Sequence, residues 1–313
     1  MNLPIDAMFA FDVRDASVDE IHARTAIYTA TPVVARMLDR IGWPRDHNGS
    51  LLDPSCGDGS FLVEALKRLP LVADDAKTAM RVRGWEIHSG AVASCRERLS
   101  DFFVSRGWSI DIAADTATAM VTHADFLTDG PQDETFDVIA GNPPYLRFAH
   151  LPEYFRDLYR DRLPLYCQGD LLNAFLHQCV SIMPDDGVIA VVTADRWLMN
   201  DGSGALRSKL GTIVGVDYVA RLDVNSSFYR PKNRRIGSPP RIHPVEVVLR
   251  PCATAKRPLT AAPVKLGGAP ATVSSGRTII DVAFVNLAPY LGAVLNRPAS
   301  SCELRRSSLL SVT

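Results

Sequence analysis

A short apolar run stopped by two consecutive prolines constrains this chain more than any other stretch. In residues 136–145, FDVIAGNPPY, the side chains Phe136, Val138, Ile139 and Ala140 have the length and character of a buried strand. Pro143 and Pro144 cannot donate to a sheet ladder, and each holds the residue before it extended. The chain must leave the strand as a stiff, extended segment. That segment presents the Asn142 side-chain amide, the Pro143 backbone carbonyl and the flat ring of Tyr145. Two acceptors converging beside an aromatic face suit a planar group that carries an exocyclic amine. Asn-Pro is also ordinary turn chemistry, so this stretch takes its meaning from what precedes it.

Eighty-odd residues upstream, Leu51-Leu52-Asp53-Pro54-Ser55-Cys56-Gly57-Asp58-Gly59-Ser60-Phe61-Leu62 reads as strand, tight glycine turn and helix. Gly57 and Gly59 let the backbone bend and approach a ligand where a Cβ would collide. Asp53 ends the strand, where ligands bind in open α/β sheets. The stretch is not G-x-G-x-x-G and lacks the lysine of a phosphate loop. A carboxylate beside such a turn suits an amino or ammonium group rather than phosphate. A second strand over 82–86 ends in Glu86, the position at which an acidic residue pairs with ribose hydroxyls in nucleoside-binding folds. A third, over 120–124, ends at Asp125-Phe126, a carboxylate and a ring suited to an adenine amine and its face. Before all of these, Tyr28-Thr29-Ala30-Thr31 leads into an amphipathic helix opened by Thr31 or Pro32, with Val33, Val34, Met37, Leu38 and Ile41 at helical spacing. Hydroxyls and free N–H groups at that helix start favour a carboxylate.

Further along, helices are expected over 91–105, 151–166, 170–183 and after Asp201, with strands over 188–193, 214–222 and 245–249, for seven strands in all. The organisation expected is an N-terminal helical segment (1–46) contributing to a ligand pocket, a core (47–250) and a C-terminal extension (251–313). The 313 residues carry a formal net charge of −1 that hides an asymmetry. Residues 1–220 hold 20 Lys and Arg against 31 Asp and Glu, whereas 221–257 hold nine basic residues and two acidic ones. A basic block on an acidic body is the footprint of a polyanion-binding face. Within it, Phe228 and Tyr229 precede Arg230, Lys232, Arg234 and Arg235, aromatics and cations suited to stacking on a base and gripping phosphate. No apolar run of about 18 residues exists to span a membrane. The acidic start lacks the features of a secretory signal. Six scattered cysteines without a C-x-x-C pair read as reduced thiols of a cytoplasmic protein with no metal site.

Together, YTATP, DPSCGDGSFL, Glu86, Asp125-Phe126, NPPY, GDLLNAF and GVIAVVT resemble, in order over residues 25–250, the γ-arrangement DNA adenine methyltransferases of bacterial restriction–modification systems. That resemblance implies an α/β class I methyltransferase fold, a Rossmann-like, mostly parallel seven-stranded sheet with helices on both faces. It implies S-adenosylmethionine as cofactor, held by Thr29, Thr31, Asp53, Ser55, Gly57, Gly59, Glu86, Ile87, Asp125 and Phe126. Asn142 stands in both the cofactor set and the catalytic set, the latter with Pro143 and Tyr145. Tyr145 resembles the ring that stacks on a base flipped from the duplex, with Phe228 on its opposite face and Arg230, Lys232, Arg234 and Arg235 on the backbone. The implied reaction is methyl transfer to the N6 amine of adenine in double-stranded DNA. Because only some sixty residues follow the last core strand, a separate specificity or restriction subunit is an expected partner. Other amine acceptors (glutamine N5, an RNA base, cytosine N4) and a non-catalytic or truncated subunit are the alternatives.

Overall fold

The computed structural model describes residues 5–44, 49–229 and 243–264, with side chains from residue 13 onward. Ten strands are present among them: β1 (Tyr28–Thr29), β2 (Leu51–Asp53), β3 (Val82–Glu86), β4 (Val121–His123), β5 (Val138–Gly141), β6 (Val188–Ala194), β7 (Val214–Arg221), β8 (Phe228–Tyr229), β9 (Pro244–Pro251) and β10 (Arg257–Pro258). Eight form one sheet in the order β10-β7-β9-β6-β5-β2-β3-β4, and β1 pairs with β8 outside it. From β4 across to β6 every pairing is parallel. Beyond β6, strand β9 runs antiparallel to both β6 and β7, and β10 is antiparallel to β7. The expected α/β architecture is therefore present, and among the described residues three two-residue strands, β1, β8 and β10, lie beyond the seven expected, of which β10 joins the main sheet.

Alternation along the central strands builds a core on each face. Leu52, Ile139, Ile189 and Val191 join one buried cluster with Phe126, Phe155, Tyr159 and the helix Leu171–Ser181. Their neighbours Leu51, Val138, Val188, Ala190 and Val192 join the opposite cluster, with the helices Thr31–Ile41, Ser60–Leu66 and Ser89–Val104. Side chains in a strand alternate between faces, and β2, β5 and β6 are buried along their whole length. That is why these strands read as continuous apolar runs rather than as an alternating pattern.

Two helices escape the sequence pattern. Residues Ile5–Thr25 form a 21-residue helix in the acidic N-terminal stretch. Residues Ile110–Met120 form another, running directly into β4. Its buried residues Ala113, Thr116, Ala117 and Met120 keep helical spacing, but three of the four are small or hydroxylated, so the stripe is faint. The strand expected over 120–124 is shortened to β4 for the same reason: Met120 is still helical. The segment expected to be helical over 151–166 is helical only over Glu153–Arg162, ending ahead of Leu163-Pro164. The boundary expected at residue 250 falls inside β9, and β10 extends the core sheet past it.

Candidate active site

Four adjacent parallel strands deliver the site. Asp53 ends β2, Glu86 ends β3, Asn142 follows β5, and Asp125 follows β4 by two residues. Their shared direction brings all four to the carboxyl edge of the sheet, where open α/β folds bind ligands. There they line one pocket with Thr29, Ser55, Gly57, Asp58, Ile87, Phe126 and Pro144. The opposite wall is formed by Ile21, His22 and Thr25 of the N-terminal helix and by Ala26, Ile27 and Tyr28 after it.

The glycine turn is shaped by close approach. Gly57 has φ +53°, and a Cβ there would stand 2.7 Å from the Tyr28 ring. Its N–H donates to Glu86 Oε2 at 2.9 Å, and the N–H of His88 donates to Glu86 Oε1 at 2.9 Å. Glu86 thereby ties the turn to the end of β3, with a lone pair left on each oxygen. Asp53 Oδ1 accepts from the Ser55 N–H at 3.1 Å, and Ser55 Oγ donates to the Asn142 carbonyl. Gly141 is glycine for this arrangement, since a Cβ there would fall 2.4 Å from Asp53 Oδ1. Asp125 caps the short helix Phe126–Asp129 by accepting from the Leu127 N–H, and its Oδ2 also accepts from Thr128 and from the Tyr159 hydroxyl at 2.9 Å.

Three buried carboxylates in one pocket raise the energy of their charged forms. Burial pushes the Asp53 carboxyl up to about 8; the Ser55 N–H opposes this, and Glu86 and Asp58 add to it. Burial also raises Glu86, against the N–H groups of His88 and Gly57. It raises Asp125, against its bonds from Leu127, Tyr159 and Thr128. A cationic ligand carrying donor groups fits this lining, and an anionic phosphate does not.

Asn142 is held differently. Its Nδ2 donates to the Ile27 carbonyl at 2.9 Å, which fixes the amide and leaves Oδ1 buried with no hydrogen-bond partner among the described residues. Thr29 Oγ1 is likewise buried without a partner, and the buried Tyr145 hydroxyl lies beside the Asn142 side chain but outside hydrogen-bond geometry. Burial drives the Tyr145 phenol well above its ordinary range, against the influence of the Asn142 side chain and the Arg196 charge. Buried polar atoms left unpaired are costly. Asn142 and Thr29 belong to the pocket lining, and Tyr145 lies outside it.

Several residues singled out from the sequence are placed elsewhere. Thr31 is the exposed first residue of its helix and does not line the pocket; Ala30, before it, is the cap. Gly59, φ +83°, lies against Cys95, 2.7 Å from where its Cβ would be, so it serves helix packing instead of the pocket. Pro143 is buried behind the lining, and Pro144 supplies the wall. Phe228 pairs with Thr29 in the β1–β8 ladder and packs against the core cluster of the helix Thr31–Ile41, away from the pocket. Tyr229 is committed as well, donating to Asp58 Oδ2 at 2.6 Å. Arg230, Lys232, Arg234 and Arg235 lie outside the described residues. Pocket residues the sequence reading passed over are Tyr159 and Phe175, the latter stacked on Phe126 at 5.5 Å. Both fall in apolar packing stripes on their own helices, and only the fold brings them to the pocket.

The Eco57I restriction-modification methylase family matches residues 89–213. The type II methyltransferase M.PaeR7I of Pseudomonas aeruginosa is 31% identical over 202 residues, covering 60% of this chain and 35% of that protein. M.XhoI of Xanthomonas vasicola is 29% identical over 198 residues, 59% of this chain and 36% of that protein. The chain thus spans about a third of the length of these curated relatives. Among solved structures, the EcoKI M protein of a type I restriction enzyme superposes with a TM-score of 0.52 at 15% identity, covering 75% of this chain and 46% of that one. A type I restriction-modification methyltransferase subunit from Streptococcus thermophilus gives 0.51 at 21% identity, over 74% and 46%. The resemblance read from DPSCGDGSFL and NPPY is borne out, and the fold is that of the S-adenosylmethionine-dependent class I methyltransferases.

Proposed function

We propose, from a chain similar in fold and sequence to restriction–modification methyltransferases, that it transfers a methyl group to the exocyclic N6 amine of adenine in DNA. When bound, S-adenosylmethionine supplies the electrophilic sulfonium methyl. The observation that carries the reading is the orphan Asn142 Oδ1, fixed by the Nδ2 bond to Ile27 beside the carboxylate-lined pocket.

The residues present fit the cofactor. Asp53 would neutralise the ammonium of its methionine part, and Thr29, with its unpaired hydroxyl, would donate to the carboxylate. Glu86 keeps one lone pair on each oxygen for the ribose hydroxyls. Asp125 and Phe126 would take the adenine amine and ring, with Asp125 offering Oδ1, since its Oδ2 already accepts from Thr128 and Tyr159. On the substrate side, Asn142 Oδ1 accepts a hydrogen bond from the amine N–H, with the Pro143 carbonyl as second acceptor. These bonds draw the nitrogen away from planarity and leave its lone pair free to attack. Tyr145 presents its ring to the extruded base. The contribution of the protein is orientation and preorganised acceptors rather than a charged base.

The test is to incubate the chain with DNA and methyl-labelled S-adenosylmethionine, digest the DNA and identify the labelled nucleoside. N6-methyladenine is expected. Label in N4-methylcytosine would move the reaction to the other exocyclic amine, and label in protein or RNA alone would overturn the DNA reading.

A further inference from the structure

A second concavity opens on the other side of the NPPY exit. It has a volume of about 350 Å³ and is lined by Arg147, Asp170, Asn173, Arg196, Asn200 and Ser203, among others. The two linings take neighbouring residues of the same two segments. Asn142 and Pro144 line the carboxylate pocket, Arg147 lines the cleft, and Tyr145 lies between them in the chain. The cleft is held in place by backbone bonds: Arg147 bridges Asp170, and the Leu171 N–H donates to the Leu146 carbonyl at 2.8 Å. Asp170 caps the helix Leu171–Ser181 through the Leu172 N–H and accepts from Arg196 at 2.5 Å.

Two features of the lining remain unused by the fold. Asn173 is 3% exposed, and its Oδ1 is buried without a hydrogen-bond partner. Arg147 is exposed and makes no side-chain hydrogen bond or ion pair among the described residues. The orphan acceptor suits a ligand that donates an N–H or O–H, and the exposed guanidinium, whose charge also acts on Asp170, suits an anion. Carboxylates supply the anion and lack the donor at neutral pH, whereas inorganic phosphate keeps a P–O–H there and carries charge and donor on one compact group. A nucleotide supplies both, with a phosphate on one side and a base edge bearing an amine or imino N–H on the other.

We propose that this cleft is a nucleotide subsite. It receives an unstacked nucleotide next to the methylated base, with Asn173 Oδ1 accepting from the base edge and Arg147 holding its phosphate. The assignment rests on the DNA reading above and adds a residue that senses a base beyond the target amine. Asp170 does not repel the phosphate, because Arg196 neutralises it. Phosphate contacts position a strand and base-edge contacts discriminate, so the two residues have separable roles.

The experiment measures binding of the 313-residue chain, saturated with S-adenosylmethionine, to two fluorescent single strands: a twelve-nucleotide deoxycytidine oligomer and an abasic sugar-phosphate of the same length. The wild type is expected to prefer the base-bearing strand by about ten-fold, the scale of one good base contact. Asn173→Leu should remove most of that preference. Since Asn173 is buried and its replacement can disturb the helix start, Arg147→Ala at an exposed position is the second variant. It should weaken both strands by a similar factor and lower the salt dependence. Equal binding of both strands by the wild type, an unchanged ratio in Asn173→Leu, or unchanged affinities in Arg147→Ala would each overturn the proposal. Binding of deoxycytidine monophosphate as tight as that of the oligomer would make the cleft a free-nucleotide site and overturn it too. Methyl transfer to DNA with an unaltered Asn173→Leu ratio would sink this inference alone. A ten-fold, Asn173-dependent preference without methylated DNA would sink the adenine reading alone.

Discussion

Glu86 and Asn142 stand at the same edge of the sheet, separated by the single strand β2, yet the protein treats them in opposite ways. Both oxygens of Glu86 already accept backbone N–H groups, from Gly57 and His88. Asp53 and Asp125 are similarly engaged, with Ser55 and with Leu127, Thr128 and Tyr159. Asn142 instead spends its donor on Ile27 and leaves its acceptor buried and unpaired, as do the neighbouring Tyr145 hydroxyl and, across the next cleft, Asn173 Oδ1. The carboxylate side is organised by the chain itself, so its ligand completes a site that is already rigid. Under the proposed reading, the unpaired acceptor on the amide side would meet a substrate amine without reorganisation. Loss of a carboxylate should therefore appear first in cofactor affinity, and loss of an amide in turnover.

The sharpest break of this contrast is Asn142→Ala, which should lower methyl-transfer turnover by roughly a hundred-fold or more, the scale of one preorganised polar group at a reacting centre. Single-turnover kinetics with labelled cofactor provide the measurement. Next comes Glu86→Ala. It removes a charged acceptor and orphans two backbone N–H groups, and cofactor affinity by calorimetry should fall by roughly ten- to a hundred-fold. Unchanged affinity would return Glu86 to a purely structural role.

A smaller effect is expected from pH. The carboxyl of Asp53, pushed up from 3.8 to about 8 by burial, holds its proton more tightly in the folded chain than in the unfolded one. Its contribution favours folding at low pH and is lost as pH rises through about 8. A bound ammonium favours the ionised carboxylate and reverses that loss. The rise in melting temperature on adding S-adenosylmethionine should therefore be larger at about pH 8.5 than at about pH 6. The same rise at both would show that Asp53 does not meet the cation. Smallest is Tyr159→Phe, which frees one lone pair of Asp125 Oδ2 and should change cofactor affinity only a few-fold, in line with a single hydrogen bond. Phe228→Ala, by contrast, should reduce thermal stability without altering the split between binding and turnover.

The carboxylate side was legible in the sequence because its chemistry is local. A strand end, the carboxylate of Asp53 and a glycine turn fall within residues 51–59, and Glu86 ends the neighbouring strand. Asn142 was legible because two prolines forbid the strand to continue. What escaped was set by tertiary approach. Tyr159 and Phe175 look like packing residues on their own helices, and only the fold carries them to the pocket. Gly59 carries the positive φ expected of the turn, but its missing Cβ makes room for Cys95 rather than for a ligand. The resemblance implies Phe228 as a stacking ring, whereas the β1–β8 ladder pairs it with Thr29 and packs it, half-buried, against the core. The N-terminal helix Ile5–Thr25, which supplies Ile21, His22 and Thr25 to the pocket, gave no recognisable apolar stripe.

The central claim is that Asn142 serves the substrate amine while the carboxylates serve the cofactor. Calorimetric titration of S-adenosylmethionine into wild type and Asn142→Ala, in the preparations used for turnover, tests it most directly. The account predicts affinities within a few-fold of each other beside a turnover that has collapsed. A loss of cofactor affinity matching the loss of turnover would place Asn142 on the cofactor side and contradict it.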